Sequence, residues 1–447
     1  KPYVPAETAL SELTVRALVW GVVMACVLGA ANAYLGMKVG LTVAATFPAA
    51  VVAMAVLRPF RASILEENIA RTTASVGEAL VAGAIFTIPA FVISGVWDDL
   101  RYLESTLIML IGGVLGVLFV IVLRRTLVEE ADLPFPESVA AAELVKAGQG
   151  GQSGAGYVFT AMGLAGAWEL LKNSNGIPLV GGYARTFVTL GVSQIELLGR
   201  TIRYRGGLLL ESAASSPALV GVGFIVGPGI SSVLFAGAVT GWLFLVPLSL
   251  FLNPELTAGV SDTQSWIDWS MEIWRRQVRP LAVGTMIVAA FYTLFKLRSC
   301  LIGGIRQAVA DLQAAKRGHR DASRLQIDIN FKGVGIAILF LSIPLFFLYY
   351  YFSSSLPGAL LLTVVMVILG FLFAAVAGYL VGLLGSSNNP ISGLTLSTLL
   401  ISAILMVLIG VTGKAGIMAV LGVAGVVCCA AGIAGDMIQD LKVGHIL

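Results

Sequence analysis

The chain has 447 residues, of which 57% are hydrophobic and only 12% are charged, and its formal net charge is +3. A soluble domain carries roughly 25% charged residues, so this composition is too apolar for a protein that folds in water. The mean hydropathy of +0.92 comes from separate apolar stretches, each long enough to cross a hydrocarbon core of about 30 Å as a helix. The composition therefore predicts an all-α, polytopic membrane helical bundle, and it excludes disordered, disulfide-rich and nucleic-acid-binding classes.

The counts of reactive residues exclude several further classes. The chain has four cysteines without CxxC spacing and only two histidines, which indicates neither a disulfide framework nor a zinc site. It has no P-loop, no GxGxxG after a strand and no GxSxG elbow. We therefore expect no ATP-driven pumping by this chain alone, no cofactor and no resident metal.

Twelve spans are predicted in chain order. The first four cover about 17–34, 40–57, 80–96 and 106–123. The second and fourth end in arginines and the third ends in acids: Arg58, Arg61, Arg124 and Arg125 against Asp98 and Asp99. Because positive charge accumulates on the cytoplasmic side of membranes, the arginine ends and the amino-terminal leader are predicted to be cytoplasmic.

The middle of the chain is predicted to return to the cytoplasm through four more spans, at about 157–171, 208–228, 230–252 and 279–297. Region 172–206 is interpreted as holding an interfacial helix, and 262–276, with three tryptophans, as an aromatic-belt helix at the outer surface. A basic cytoplasmic loop at 298–332 follows, and the last four spans lie at about 333–352, 358–384, 396–412 and 415–434. The predicted regions are thus 1–297, 298–332 and 333–447.

Four polar segments interrupt or adjoin the apolar stretches: 32–42, 63–78, 386–395 and 435–442. The first and third each combine an asparagine with Gly-Leu-Thr, and the second and fourth each end a small-residue run with Gly-acid. Polar groups at membrane depth are costly unless satisfied, so these segments are functional candidates. They predict a weak, inverted internal repeat with broken helices, as in secondary transporters. The alternative is that these small polar residues serve only in helix–helix packing.

Carboxyl groups near these segments favour proton coupling. A carboxyl removed from water binds its proton more tightly and can carry it across the membrane. The carboxyls with this environment are those of Glu66, Glu67, Glu78 and Glu211. The alternative for Glu66 and Glu67 is an interfacial position. Their partners would then be Arg61 or Arg71, and this alternative is favoured for Glu66.

Five motifs in one order resemble the oligopeptide transporter (OPT) family, which includes the yellow stripe-like branch: NAYLGMKVGLTVAATFPAAV, EENIARTTASVGEALVAGAIFTIPA, SPALVGVGFIVGP, NNPISGLT and GDMIQDLKVGHIL. The resemblance implies a duplicated helical membrane fold and proton-coupled uptake of peptides or of metals chelated by amino-acid-like ligands. The substrate-binding candidates on matching positions are Asn32, Asn68, Thr72, Ser75, Asn389, Pro390 and Gln439. The proton-coupling candidates are Glu67, Glu78, Glu211, Asp436 and Asp440.

The expected function is import of small peptides or peptide-like metal chelates with protons across a bacterial inner membrane, as a multi-pass protein and not as an enzyme. The expected partners are the small-molecule substrate, protons and the lipid bilayer, without nucleic acid. The sequence is compatible with a homo-oligomer and does not decide the oligomeric state. The family has more spans than the twelve counted here, so we expect that residues beyond Leu447 are missing. The alternatives are a passive channel and an intramembrane enzyme acting on lipid or peptide, which the scarcity of histidine disfavours.

Overall fold

The computed structural model describes the chain except for residues 1–2, 6–7, 9, 40–41, 43, 131, 150–154, 173–176, 178, 198, 254–261, 297–328, 330 and 390. Most of the predicted basic loop at 298–332, and Pro390, lie outside the described residues. The chain forms two compact units, Lys1–Val158 with Ala289–Leu447 and Phe159–Val288. The three regions predicted from the sequence divide the chain at other positions and stay a prediction.

The described residues are mainly helical. In chain order the elements are α1 Val15–Val39, α2 Thr46–Leu57, α3 Ile64–Ile85, α4 Ile88–Ile93, α5 Tyr102–Arg124, α6 Pro136–Gln149, α7 Ala155–Lys172, β1 Arg185–Leu197, β2 Arg200–Glu211, α8 Pro217–Val239, α9 Val246–Leu252, α10 Thr263–Ile273, α11 Arg279–Lys296, α12 Phe331–Ser353, α13 Leu356–Leu384, α14 Ile391–Ile409 and α15 Gly413–Ile446.

Eight helical stretches of the described chain are long and apolar enough to cross a membrane: Val15–Lys38, Ile64–Ile93, Tyr102–Glu129, Gly227–Leu252, Lys332–Ser353, Leu356–Leu384, Ile391–Ile409 and Gly413–Ile446. The predicted multi-pass helical bundle is confirmed. The predicted span at 40–57 is instead the 12-residue helix α2, which is too short to cross. The span predicted at 208–228 is wrong, because β2 continues to Glu211 and α8 begins only at Pro217.

Two segments that the sequence marked as polar interruptions are continuous helix. Segment 63–78 begins α3 with a capping box, in which the Glu66 amide donates to the Ser63 hydroxyl and the Ser63 amide donates to the Glu66 carboxylate, each at 3.1 Å. Segment 435–442 lies inside the 34-residue helix α15. Polar side chains therefore enter the interior on regular helices, where the backbone satisfies its own hydrogen bonds.

Helix α15 is the centre of the larger unit. In its apolar window 83% of residues are buried, against 22% for α1. It packs against α3, α5, α13 and α14. Two glycines on α5, Gly112 and Gly116, allow a close approach: a Cβ atom on either would lie 2.8 Å from a backbone oxygen of α15, that of Val426 or Ala430. This is the small-xxx-small contact that joins helices in membranes.

In the smaller unit, β1 and β2 form an antiparallel hairpin with a register irregularity between Thr189 and Val192. The interfacial helix expected within 172–206 is therefore wrong. Strand β1 is rich in β-branched and aromatic residues, which favour extended chain, and Gly199 takes a positive φ of 75° at the turn.

Helix α10 carries the tryptophans of the predicted aromatic belt. Trp266 is buried and stacks on Phe187 of the hairpin, with ring centroids 5.0 Å apart. Trp274, just beyond α10, stacks on Trp242 at 5.4 Å. Two of the three tryptophans therefore have ring partners within the smaller unit.

The contact between α5 and α15 gives a testable prediction. Replacing Gly116 by Ala should lower the free energy of unfolding by about 1–3 kcal/mol, because the new methyl group meets backbone that cannot move aside. The matched control is Gly163→Ala on α7, where a Cβ meets nothing within 4 Å. The control should leave the thermal midpoint in detergent unchanged or slightly raised, since Ala favours helix over Gly. Equal midpoints for the two variants would contradict the close contact.

Candidate functional site

Two helix interruptions of the larger unit concern the site: the first lies between α1 and α2, and the second lies between α13 and α14. One side chain, that of Gln439 on α15, contacts the second interruption and the start of α2. Its Oε1 atom accepts a hydrogen bond from the Ser386 amide at 2.7 Å, in the interruption between α13 and α14. Its Nε2 atom donates to Thr46 Oγ1 at 3.3 Å, at the first residue of α2. Segments far apart in the sequence are therefore brought together by one buried amide.

The second interruption begins at Gly385, whose φ of 92° ends α13, and continues as a 3₁₀ turn over Ser386–Asn388. The Glu137 carboxylate, from the start of α6, binds this turn. Its Oε2 atom accepts from the Ser386 amide at 3.0 Å, the Ser386 hydroxyl at 3.4 Å and the Ser387 amide at 3.5 Å. A Cβ on residue 385 would overlap this carboxylate, so only glycine fits there. The chain thus breaks within 385–389, as the sequence predicts near Pro390.

The first interruption follows α1 and is held by Glu78 of α3. Asn32 lies within α1 rather than in the interruption, and its side-chain amide donates to Glu78 Oε1. The second carboxylate oxygen accepts from the Ala45 amide at 3.3 Å, directly before α2. Glu78 and Asn32 are both buried. One acid therefore joins α1 to the start of α2.

A buried ion pair links α3 to α15. Arg71, which is 0% exposed, donates from Nη1 to Asp440 Oδ1, and Asp440 is 1% exposed. The other two guanidinium nitrogens also bond: Nε and Nη2 donate to Asn68 Oδ1 at 3.1 and 2.9 Å, and Nη2 donates to Thr72 Oγ1 at 3.2 Å. Asn68 and Thr72 therefore form the surroundings of this pair, and the Ser75 hydroxyl on the same helix is buried without a hydrogen-bond partner among the described residues.

Acids outnumber cations in this region. Asp436, one helical turn before Asp440, is buried within electrostatic range of Glu78 and Asp440. In the described part of the chain, Arg71 is the single buried cation. Charges removed from water are stable only when paired, so three buried acids beside one base form a region that favours a proton or another cation.

Asn389 presents an amide at the end of the second interruption. Both its Oδ1 and Nδ2 atoms are buried and have no hydrogen-bond partner among the described residues. The amide packs over Gly435, one residue before Asp436. Because a buried amide without partners costs free energy, this side chain is suited to bind a polar ligand.

Three sequence-predicted carboxyls lie apart from these contacts. Glu66 pairs with Arg16 at 2.6 Å, so its expected pairing with Arg61 or Arg71 is wrong, since the capping box turns its carboxylate towards α1. Glu67 is buried and accepts from Gln149 Nε2 at 3.0 Å.

Glu211 belongs to the smaller unit, where it ends β2 and pairs with Arg185. Its side chain is 41% exposed, so the desolvation argument made from the sequence does not apply to it in this structure.

Sequence reasoning missed four residues that hold the site together: Thr46, Arg71, Glu137 and Ser386. A signal existed for Arg71, because an arginine within a small-residue membrane segment needs a buried acid as partner. Glu137 had no such signal, since an acid in the first turn of a helix is common. In the described residues no group of three or more His, Cys, Asp or Glu side chains is arranged to hold a metal ion.

Comparison with known proteins identifies the family. The OPT oligopeptide transporter protein family matches residues 12–447. A Haemophilus influenzae protein named "Putative oligopeptide transporter" is 33% identical over 433 residues, which cover 92% of this chain. The chain spans 64% of the length of that curated relative. No solved structure matches the chain. The family match over nearly the whole chain, together with the membrane helices described above, shows that this chain belongs to the oligopeptide transporter family.

Proposed function

We propose that the chain acts in a secondary active transporter that imports small peptides, or metal chelates with amino-acid-like ligands, together with protons across a bacterial inner membrane. The observation that carries this proposal is the meeting of both helix interruptions at Gln439, beside three buried carboxyls. Interrupted helices present unpaired backbone dipoles at membrane depth, which secondary transporters use to bind substrate and coupling ion. The family and the relative's name support oligopeptides as the substrate class.

The charges of the region fit a zwitterionic substrate. The excess of carboxyls offers partners for a substrate ammonium, and a substrate carboxylate would compete with Asp440 for Arg71, the single buried cation of the described residues. The free amide of Asn389 can bind a peptide group, which carries one donor and one acceptor. We propose that substrate contacts come from residues around the interruptions: the polar side chains of Asn32, Asn68, Thr72, Ser75, Asn389 and Gln439, together with Pro390, which lies outside the described residues.

The coupling proton is proposed to reside on Glu78, Asp436 and Asp440, the three carboxyls that share one buried cation. Ionised Glu78 makes charge-assisted hydrogen bonds to Asn32 and to the Ala45 amide, and such bonds are stronger than neutral ones. Protonation of Glu78 would weaken both bonds and release α2 from α1. Binding of a proton is thereby linked to movement at the first interruption.

The coupling proposal predicts that peptide uptake into proteoliposomes requires an inward proton gradient. Uptake should saturate with peptide concentration and should fall to the passive level when a protonophore collapses the gradient. Saturating uptake that ignores the gradient would contradict proton coupling. Flux that follows the peptide gradient without saturation would indicate a channel.

Replacing Glu78 by Gln should reduce gradient-driven uptake by at least about tenfold. Gln keeps the shape of the side chain but carries neither the charge nor the proton, and a charge-assisted hydrogen bond contributes about 1.5–3 kcal/mol. The matched control is Glu143→Gln on α6, where the carboxylate is exposed and pairs with Lys146. The control should transport as the unchanged protein does, and full activity of the Glu78 variant would remove Glu78 from the coupling mechanism.

Replacing Asn389 by Ala should weaken peptide binding by about tenfold while leaving the thermal midpoint of the ligand-free protein unchanged, because an amide without partners contributes little stability. A thermal-shift screen of purified protein against peptides and metal chelates measures both quantities. Asn68→Ala is the contrasting variant: it removes the acceptor of two Arg71 donors and should lower the ligand-free midpoint. Unchanged peptide affinity in the Asn389 variant would exclude this residue from the site.

A further inference from the structure

Resting on the proposed transport of peptides, we propose that Ser75, Asp436 and Asp440 form the site that binds the protonated amino terminus of the peptide. The sequence suggests each of these residues singly and assigns none of them to one end of the substrate. The site lies between α3 and α15 in the larger unit, one helical turn from Arg71.

Helices α3 and α15 run antiparallel, and two stripes of residues face each other along their contact. Within each stripe the residues are three or four positions apart, which places them on one side of their helix. An ion pair or a close approach of glycine marks four levels of the contact: Gly83 with Cys429, Ala79 with Gly432, Arg71 with Asp440 and Asn68 with Gly444. Ser75 lies four residues from both Arg71 and Ala79, and Asp436 lies four residues from both Gly432 and Asp440. Ser75 and Asp436 therefore lie at one level, on the facing sides of the two helices.

Two hydrogen-bond acceptors near this level have no partner. The Ser75 hydroxyl oxygen and the Asp440 Oδ2 atom are buried and make no hydrogen bond to the described residues. Ser75 and Asp440 are each 1% exposed, so bulk water does not reach them. Arg71 binds only the other carboxylate oxygen, Oδ1. Because buried polar atoms without partners cost free energy, these two atoms indicate a place where a ligand supplies the missing hydrogen bonds.

An ammonium group matches this place in its donors and in its charge. It carries three N–H donors and no acceptor, and the site offers the Ser75 hydroxyl, Asp440 Oδ2 and the carboxylate of Asp436. Arg71 compensates the charge of Asp440, so the ammonium compensates that of Asp436. The coupling proton is then left to Glu78, whose carboxylate is bonded to α1 and to the start of α2.

Asn389 extends the site along the peptide. Its amide packs over Gly435, the neighbour of Asp436 in the sequence, and both of its polar atoms lack partners among the described residues. The first peptide group of a substrate follows the ammonium after one Cα atom, and it carries one donor and one acceptor for this amide. An amine that coordinates a metal does not present the three donors of an ammonium. The site therefore favours free peptides over metal chelates as the substrate class.

Equilibrium binding to the purified protein tests the site without any gradient. The probe is trialanine in three forms: unmodified, acetylated at the amino terminus and amidated at the carboxyl terminus. The unmodified form should bind at least about tenfold more tightly than the acetylated form, because hydrogen bonds between charged groups are stronger than neutral ones.

The variants assign this difference to the site. Ser75→Ala should weaken binding of the unmodified and amidated forms alike, by about threefold to tenfold, and leave binding of the acetylated form unchanged, because only the first two carry the ammonium. Asp436→Asn should bring the affinities for the unmodified and acetylated forms together. Ser402→Ala on α14 is the matched control, since it also removes a buried serine hydroxyl without a partner among the described residues, and it should bind all three forms as the unchanged protein does.

The outcomes separate this site from the proposed function. If the unchanged protein binds no form of trialanine, the proposed peptide transport fails and the site fails with it. If it binds the unmodified and acetylated forms equally, the ammonium site is wrong while peptide transport stands. If Ser75→Ala weakens binding of the acetylated form as much as that of the unmodified form, the site is likewise wrong. Should Asp436→Asn not fold, the comparison of Ser75→Ala across the three forms decides.

Discussion

The buried ion pair between Arg71 and Asp440 is the contact on which the arrangement of the larger unit depends. It fixes the rotation of α3 against α15, because a guanidinium at membrane depth has few partners and here all three of its nitrogens bond to α3 or to Asp440. With this rotation set, Glu78 lies on the face of α3 that meets Asn32 and the start of α2. Asp436 lies on the face of α15 that meets the second interruption. The Arg71–Asp440 ion pair thus fixes the positions of Glu78 and Asp436 as well as the packing of α3 against α15.

Two kinds of contact hold the helices of the larger unit together. Small residues join α5 to α15 so closely that a methyl group would not fit, and such a contact leaves little room for relative movement. The interruptions, in contrast, are held by individual hydrogen bonds to Gln439, Glu78 and Glu137, each of which can break and re-form. A rigid pair of helices beside two interrupted ones is compatible with the alternating access of the transporter that we propose.

The sequence allowed the location of the site to be predicted better than its contacts. The four polar segments could be found because a polar residue within an apolar membrane segment costs free energy and is therefore rare. The structure brings all four segments together within the larger unit. The roles of Arg71 and Glu137 were missed, since their importance depends on partners 369 and 249 residues away. The continuity of α3 and α15 was missed because polarity was taken as a sign of broken helix, whereas a helix buried by its neighbours tolerates polar residues.

Predictions that depended on local periodicity alone were weakest in the smaller unit. Region 172–206 mixes glycine, β-branched residues and arginines, and apolar residues at mixed spacing are compatible with both an interfacial helix and a strand. The hairpin is stabilised by pairing between β1 and β2 and by the stacking of Phe187 on Trp266, a residue of a different element. Such cross-strand and tertiary contacts carry no signature in a single stretch of sequence.

The burial of α15 has a consequence for how the protein is assembled. Its carboxyl-terminal half carries Asp436 and Asp440, and a helix with two acids is costly to expose to hydrocarbon. Arg71, the partner that makes this half acceptable, is on α3 and is synthesised more than 300 residues earlier. We therefore expect helix α15 to reach membrane depth only as it packs against α3, so that its insertion and its packing are one event rather than two.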